Sequence, residues 1–172
     1  MVAARTPNVS VAATSGRRMS AVSKKSRKQG HLNWEAKLRP ELQPRIVTEK
    51  RGGESLLLPT PLLVGEIVSA VPRGQVITLS QLRDQLAQRF NTAKTCPLMT
   101  GIFAGILAGV TADDLGQRRK PRWPIWRLVR DDGTLNSKWA LDVLYRASLL
   151  REEGMRLTRR NGTWAVLDTR QP

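Results

Sequence analysis

The stretch WPIWRLVRDDGTL, from Trp123 to Leu135, decides the predicted fold because it joins an apolar, strand-prone run to a tight reversal. Ile125 and the pair Leu128-Val129 are residue types that favour strands, and Pro124 restricts the backbone where the run begins. Asp132-Gly133 is a dipeptide typical of a two-residue turn. We therefore predict a short buried strand that leads into a turn.

Capping residues predict three helix starts on the amino-terminal side of this stretch. Thr60-Pro61 places a capping hydroxyl before a proline at the first helical position. Thr78 has Gln81 three residues later, which is the capping-box pattern, and Pro97 opens a third helix whose apolar stripe reaches Val110. Two helices joined by a short turn in a basic protein suggest a helix-turn-helix that binds DNA.

Further elements are predicted on both sides of these helices. Asn161-Gly162 between alternating apolar residues indicates a hairpin, which serves either as a lid on the core or as a basic wing against a nucleic-acid backbone. The others are an amphipathic segment over 32–42, a hairpin with arms at Ile46-Val47 and Leu56–Leu58, and a helix from a Ser137 cap to Gly154 that carries Trp139.

The charge of the chain indicates a polyanionic partner. The 172 residues carry a formal net charge of +15, with 12 Lys and Arg against 3 acids over 1–51 and 17 against 11 over 52–172. Such an excess is most often associated with nucleic acid, although a ribosome-associated surface or a basic tail without a specific partner would also produce it. Residues 1–30 contain no acid and no apolar periodicity. We predict a disordered basic arm there, while an organellar transit peptide would have a similar composition.

Several classes of protein are disfavoured by what the sequence lacks. One cysteine and one histidine supply neither an internal disulfide nor a typical zinc site. There is no phosphate-binding loop and no dinucleotide fingerprint, so we expect no metal and no cofactor. No continuous apolar run suggests a membrane span or a signal sequence. The expectation is a cytoplasmic monomer that does not contact membranes.

The quoted stretch resembles the active-site motif of the methylguanine-DNA methyltransferases. That motif reads Pro-Cys-His-Arg-Val-Val, followed by a short polar run and a turn. Pro124 matches the proline, Arg127 the arginine and Leu128-Val129 the apolar pair, while Asp132-Gly133 matches the turn. The departures fall where the chemistry of the family takes place.

Ile125 stands at the position of the alkyl-accepting cysteine, and Trp126 stands at that of the histidine which activates it. An isoleucine has no thiolate that could accept an alkyl group. The resemblance therefore implies an alkyltransferase-like protein that lacks the acceptor cysteine.

The resemblance extends to segments on both sides of the motif. Residues 72–78 are similar to the family's Pro-X-Gly-Glu-Val-Val-Ser, and residues 149–154 to its Leu-Leu-X-X-Glu-Gly. Leu79 takes the place of a tyrosine that presses on the target phosphate, and Leu98 that of an arginine that fills the gap left by a flipped base. Glu153 takes the place of the glutamate that orients the histidine. Without the wedge, extrusion of a base is poorly compensated, so binding without flipping is a further option.

The likeness covers roughly Thr60 to Gly154 and implies the fold class. That class is α+β, a small winged-helix-like helical domain with short strands and hairpins, preceded by a disordered basic arm. The predicted regions are the arm over 1–30, a short helix and hairpin that pack on the core over 31–59, and a methyltransferase-like DNA-binding domain over 60–172.

A binding surface and a base pocket are predicted around the motif. Four basic residues in five from Arg118 to Arg122, flanked by Trp123 and Trp126, fit phosphate contacts and stacking on a base. The alternative is that both tryptophans belong to the core and the charges are solvated. The predicted nucleic-acid-binding residues are Arg118, Arg119, Lys120, Arg122, Arg127, Thr100 and Lys138, and those of the base pocket are Ile125, Trp126, Leu79 and Leu98.

The expected function is non-enzymatic binding of double-stranded DNA, with a link to recognition of alkylated DNA and to DNA repair. One alternative is a divergent alkyl-transferring repair methyltransferase that uses Cys96, which precedes the helix at Pro97. Another is an RNA- or ribosome-associated interaction protein that kept the fold. No catalytic residue other than the weak candidate Cys96 is predicted.

Overall fold

A computed structural model describes residues 32–49 and 52–167, so the arm predicted over 1–30 lies outside the described residues. The helices are α1 (Trp34–Leu38), α2 (Pro61–Ala70), α3 (Leu79–Arg89), α4 (Pro97–Gly116) and α5 (Val143–Glu152). The strands are β1 (Arg45–Thr48), β2 (Ser55–Leu58), β3 (Ile77–Thr78), β4 (Lys94–Thr95), β5 (Leu128–Val129), β6 (Leu157–Arg160) and β7 (Thr163–Val166). This mixture of helices and short strands confirms an α+β chain.

The capping residues named from the sequence begin the helices as predicted. The Thr60 hydroxyl accepts from the Leu63 amide at the start of α2. At the start of α3, the Thr78 hydroxyl accepts a hydrogen bond from the Gln81 amide, and the Gln81 side chain accepts one from the Thr78 amide. These two bonds complete the capping box. Pro97 is the first residue of α4. These starts depend on contacts within one turn, which is why a short sequence window predicts them.

The long helix α4 is the centre of the core and packs on α1, α2 and α3. By length and composition alone, with a mean hydropathy of 1.4, it would also suit a membrane span. Ten of its 20 residues are buried, however, and Ala104, Leu107 and Ala108 are inaccessible to solvent. That pattern is typical of a helix at the centre of a folded core.

The strands connect distant parts of the chain. β1 and β2 form the predicted antiparallel hairpin, and β2 also pairs in parallel with β4, so that Leu57 lies fully buried beside Thr95. β3 pairs in parallel with β5, which brings Ile77 next to Leu128. β6 and β7 form the hairpin predicted at Asn161-Gly162. Leu38 and Leu57, both within the region predicted over 31–59, therefore contribute to the core of the domain.

Two predicted elements are wrong in their bounds. Ile125–Arg127 is a 3₁₀ turn, and only Leu128–Val129 is extended. In a strand Ile125 and Arg127 would face the same side, whereas the turn buries Ile125 in the core and directs Arg127 to Glu153. The tight turn thus separates one apolar from one ionic residue.

The helix predicted to start at Ser137 begins at Val143 instead. The Asp142 carboxylate accepts from the amides of Leu144 and Tyr145, so the cap lies five residues later than predicted. Asn136 accepts from the Lys138 amide and holds the preceding segment in an irregular turn. Trp139 therefore lies on a loop.

Tryptophan rings pack against glycines in the core. A Cβ atom at Gly109 would overlap the Trp34 indole, and one at Gly65 would lie 2.5 Å from Trp123 Nε1. Gly105 is in contact with Trp139, since a Cβ there would lie 3.8 Å from Trp139 Cδ1. The glycines let bulky rings approach the helix backbone closely.

We predict that Gly109→Ala lowers the free energy of unfolding by about 1 to 3 kcal/mol, because the added methyl group displaces the Trp34 ring. Gly101→Ala is the matched control on the same helix, since a Cβ at Gly101 meets nothing within 4 Å. It should raise stability by about 0.5 to 1 kcal/mol through helix propensity. Urea unfolding measures both, and equal effects of the two substitutions would contradict the tight Trp34 contact.

Candidate nucleic-acid interface

Glu153 is the acceptor on which three segments converge. Its carboxylate accepts hydrogen bonds from Trp126 Nε1 at 2.8 Å, from Arg127 Nε and Nη2 at 2.9 Å each, and from the Gly74 amide at 3.2 Å. Arg127 Nη1 also donates to the Val71 carbonyl at 2.6 Å. The 3₁₀ turn, the end of α5 and the α2–α3 connection are thereby held together.

The charge of Glu153 is stabilised despite its burial. Its side chain is 7% exposed, and burial on its own raises the pKa of the carboxyl. Hydrogen bonds from Arg127, Trp126 and Gly74 outweigh that effect and hold the pKa below its ordinary value of 4.5. Trp126 thus donates to the glutamate that, by the motif resemblance, would orient a histidine.

The four residues of the predicted base pocket do not line one cavity. Ile125 is completely buried in the main core, and Leu79 packs against that same cluster. Trp126 packs against a second apolar cluster. Leu98 is 70% exposed at the start of α4. The neighbours Ile125 and Trp126 are separated because the 3₁₀ turn directs them into different parts of the interior.

The predicted basic cluster is partly neutralised within the protein. Arg122 forms ion pairs with both Glu35 and Asp114, and Arg119 forms an ion pair with Asp114 at 2.8 Å. Arg118 and Lys120 are exposed and make no ion pair with a described carboxylate. These two remain accessible cations at the end of α4, where Arg118 has a left-handed backbone with φ 57°.

The other predicted contact residues lie in separate places. Arg127 is 14% exposed, and its three nitrogen atoms donate within the protein. Thr100 is buried, and its hydroxyl donates to the Cys96 carbonyl at 2.8 Å. Both therefore act in the fold. Lys138 is exposed beside α4, so it stays available to a ligand.

A groove of about 360 Å³ runs along the amino-terminal half of α4. Gly101, Ile102 and Gly105 form part of its wall, and half-buried Trp34 and Trp139 provide flat aromatic surfaces. It is lined by Trp34, Lys37, Gly101, Ile102, Gly105, Ile106, Lys138, Trp139 and Ala140. The sequence reasoning missed Trp34 and Lys37, although the four-residue spacing of glycines in α4 is a signal for a groove wall.

Arg146 supports the loop that carries Trp139. It is completely buried, and its guanidinium lies 4.6 Å from the Trp139 ring centroid. It donates to the carbonyls of Asn136 and Leu128. Burial, assisted by nearby Arg130, lowers the pKa of Arg146 to about 9, so the group stays protonated at neutral pH. A buried positive charge therefore lies behind one wall of the groove.

Cys96 lies at the start of α4 and is partly exposed, but its side chain makes no capping hydrogen bond. The single histidine, His31, lies outside the described residues. Within 32–49 and 52–167, no three His, Cys, Asp or Glu side chains are grouped as metal ligands. The described part of the chain provides no base of histidine type beside the sulfur.

No protein-family model and no curated protein matches the chain. Two solved structures are similar to it. One is S. pombe Atl1 in complex with damaged DNA containing O6-carboxymethylguanine, with a TM-score of 0.43, 16% identity and coverage of 63% of this chain and 87% of that one. The other is S. pombe ATL in complex with DNA, with a TM-score of 0.41, 16% identity and coverage of 63% and 88%.

We predict that Glu153→Gln lowers the free energy of unfolding by about 3 kcal/mol at neutral pH, because it leaves the half-buried Arg127 without its carboxylate. The folded-state pKa of Glu153 is lowered, so its contribution is present above the ordinary value of 4.5 and is lost as pH falls through the folded-state value. The difference between variant and wild type should therefore shrink in acid.

Glu66→Gln is the control for this prediction, because Glu66 pairs with Arg89 where both side chains are more than half exposed. It should change stability by less than about 1 kcal/mol. Denaturant unfolding over a range of pH measures both variants. A Glu153→Gln effect as small as that of Glu66→Gln would refute the role given to the buried pair.

Proposed function

We propose that this chain is a non-enzymatic DNA-binding protein whose domain keeps the framework of the methyltransferase motif and has lost its chemistry. One observation carries the proposal: Trp126 donates to Glu153 while Ile125, at the acceptor position, is buried without solvent access. A hydrocarbon at this position accepts no alkyl group. The net charge of +15 supports a polyanionic partner.

The proposed DNA face is the amino-terminal half of α4 together with the groove beside it. α4 carries no Lys or Arg, but Gly101 presents no side chain, so a DNA backbone can approach the helix closely. Leu98 projects at the start of the helix, and apolar side chains of this kind insert between base steps in the minor groove. Lys37 and Lys138 line the groove and are positioned for phosphate contacts.

We further propose that the groove receives an alkylated base. The half-buried indoles of Trp34 and Trp139 offer aromatic surface on which a planar base can stack, and an alkyl substituent is better accommodated by Ile102 and the glycines than by water. Leu98, whose side chain is shorter than the arginine that it replaces by the motif resemblance, would fill only part of the gap that the extruded base leaves in the stack. We propose double-stranded DNA as the partner because an apolar side chain of this kind inserts between stacked base steps.

Alkyl transfer to Cys96 is the second candidate function, since its partly exposed sulfur is not used in capping α4. Incubation with duplex DNA containing O6-methylguanine, followed by intact-mass measurement, separates the two functions. We expect no mass gain, because no histidine-type base accompanies the sulfur in the described residues. A gain of one methyl group that is absent in Cys96→Ala would establish the transferase and overturn the proposal.

We predict that Lys37→Gln/Lys138→Gln weakens duplex binding and makes the negative slope of log affinity against log salt shallower by about 2, because about one ion is released for each phosphate contact. Fluorescence anisotropy at several salt concentrations measures the slope. Arg89→Gln/Lys94→Gln removes the same charge from residues paired with carboxylates and is expected to leave the slope near that of wild type.

Three substrates complete the binding experiment: plain duplex, duplex with O6-methylguanine, and structured RNA. Preference for the alkylated duplex, abolished by Trp139→Ala, would support the groove as the base site. Equal affinity for both duplexes would mean that the protein binds DNA without recognising the alkylated base. Tighter binding to RNA would instead favour the RNA-associated alternative and contradict the proposed partner.

A further inference from the structure

Two arginines, Arg151 on α5 and Arg159 on β6 of the carboxy-terminal hairpin, lie over the ring of Trp164 on β7. The guanidinium of Arg151, at the end of α5, lies 4.3 Å from the ring centroid of Trp164 on β7, and that of Arg159 on β6 lies 4.7 Å from the same centroid. Trp164 itself packs against the second apolar cluster. The ring therefore gives both cations a fixed support.

The hairpin is joined firmly to the turn that follows β5. Thr134 bridges to Ala165, the Leu135 amide donates to the Trp164 carbonyl at 2.8 Å, and the Val166 amide donates to the Gly133 carbonyl. Arg160 Nη1 donates to the Asp132 carbonyl at 2.9 Å. These bonds hold the arginines on a surface whose shape does not depend on a ligand.

The charges on this surface are not balanced by carboxylates of the described residues. Arg151, Arg159 and Arg160 form no ion pair with any acid over 32–49 and 52–167, whereas Arg89, Arg119, Arg122 and Arg127 each do. Two guanidinium groups over one ring repel each other, and a bound anion relieves that repulsion. Guanidinium edges donate in the fork geometry that phosphate oxygens accept.

We propose that Arg151, Arg159 and Arg160 form a second phosphate-binding surface, separate from the groove beside α4, that contacts the nucleic-acid backbone without reading bases. The inference rests on the proposed DNA-binding function and adds a surface to it. A nucleic acid fits better than a membrane because the hairpin tip, Asn161-Gly162, is polar and offers no apolar residue for insertion. An acidic protein partner fits less well because protein interfaces usually rely on a buried aromatic side chain. The aromatic residue here, Trp164, already has both arginines over its ring.

The test is the double variant Arg151→Gln/Arg159→Gln, titrated by anisotropy with a labelled plain duplex over a range of salt concentration. We expect the negative slope of log affinity against log salt to become shallower by about 2, with a loss of affinity of at least about tenfold at low salt. Arg160→Gln alone should make the negative slope shallower by about 1. Arg89→Gln/Lys94→Gln is the matched control for the loss of two charges from paired residues.

A second pair of substitutions separates phosphate contact from damage to the hairpin. Arg151→Lys/Arg159→Lys keeps both charges, so the salt slope should stay within about 0.5 of wild type. If the salt slope of the lysine variant changes as much as that of the glutamine variant, loss of hairpin structure is the cause and the proposal is overturned. Thermal unfolding of each variant supplies the independent measure of folding.

The outcomes also distinguish this inference from the proposed function. If wild type does not bind duplex, the proposed function fails as well. If wild type binds and Lys37→Gln/Lys138→Gln weakens binding while Arg151→Gln/Arg159→Gln leaves the slope unchanged, only the second surface is refuted. The last measurement is binding to vesicles of phosphatidylserine and phosphatidylcholine. If Arg151→Gln/Arg159→Gln binds vesicles more weakly than wild type while its salt slope for duplex is unchanged, the arginines bind a membrane and the proposal is overturned.

Discussion

The carboxylate of Glu153 is the constraint on which the architecture around the motif depends. Trp126, Arg127 and the backbone of the α2–α3 connection all donate to it, and Arg127 continues the network to the Val71 carbonyl. A carboxylate with so little exposure is stable as an anion only when several donors surround it. The network therefore requires the 3₁₀ turn, the end of α5 and the α2–α3 connection to assemble together. It also uses the indole N–H of Trp126 and all three side-chain nitrogen atoms of Arg127 within the protein.

The distribution of cations follows from the same principle. Arg119, Arg122 and Arg127 are near carboxylates of the folded chain and contribute to packing, although their sequence positions suggested phosphate contacts. Lys138, Arg151 on α5 and Arg159 on the hairpin have no such partners among the described residues. A large net charge thus indicates the kind of partner, but only the pairing of each side chain tells which face presents the charge.

The tryptophans illustrate how one residue type takes several roles. Trp34 and Trp123 cover glycines of α4 and α2, so the alternative that placed Trp123 in the core agrees with its packing. Trp139 forms a wall of the groove, and Trp164 supports two arginines. The sequence interpretation concentrated on Trp123 and Trp126, since these flank the basic cluster. The two tryptophans that line the groove lie far from that cluster along the chain, on α1 and on a loop.

Local chemistry was enough to predict the starts of α2, α3 and α4 and both hairpins, because caps, prolines and turn residues act within a few positions. It failed at Ser137, where Asp142 proved the better cap, and at Ile125, where burial and an ion pair favoured a tight turn over a strand. The parallel pairing of β3 with β5 also had no local signal.

The sequence alone determined the mixture of helices and strands, the order of α2, α3, α4 and the two hairpins, and the absence of a thiol at the motif position held by Ile125. Only the tertiary structure decided which arginines are neutralised, that Trp126 donates to Glu153, and that α1 and the 138–140 loop meet at α4 to form a groove. The reason is physical: caps and turns are satisfied by neighbours in the chain, whereas ion pairs and grooves depend on residues brought together by packing.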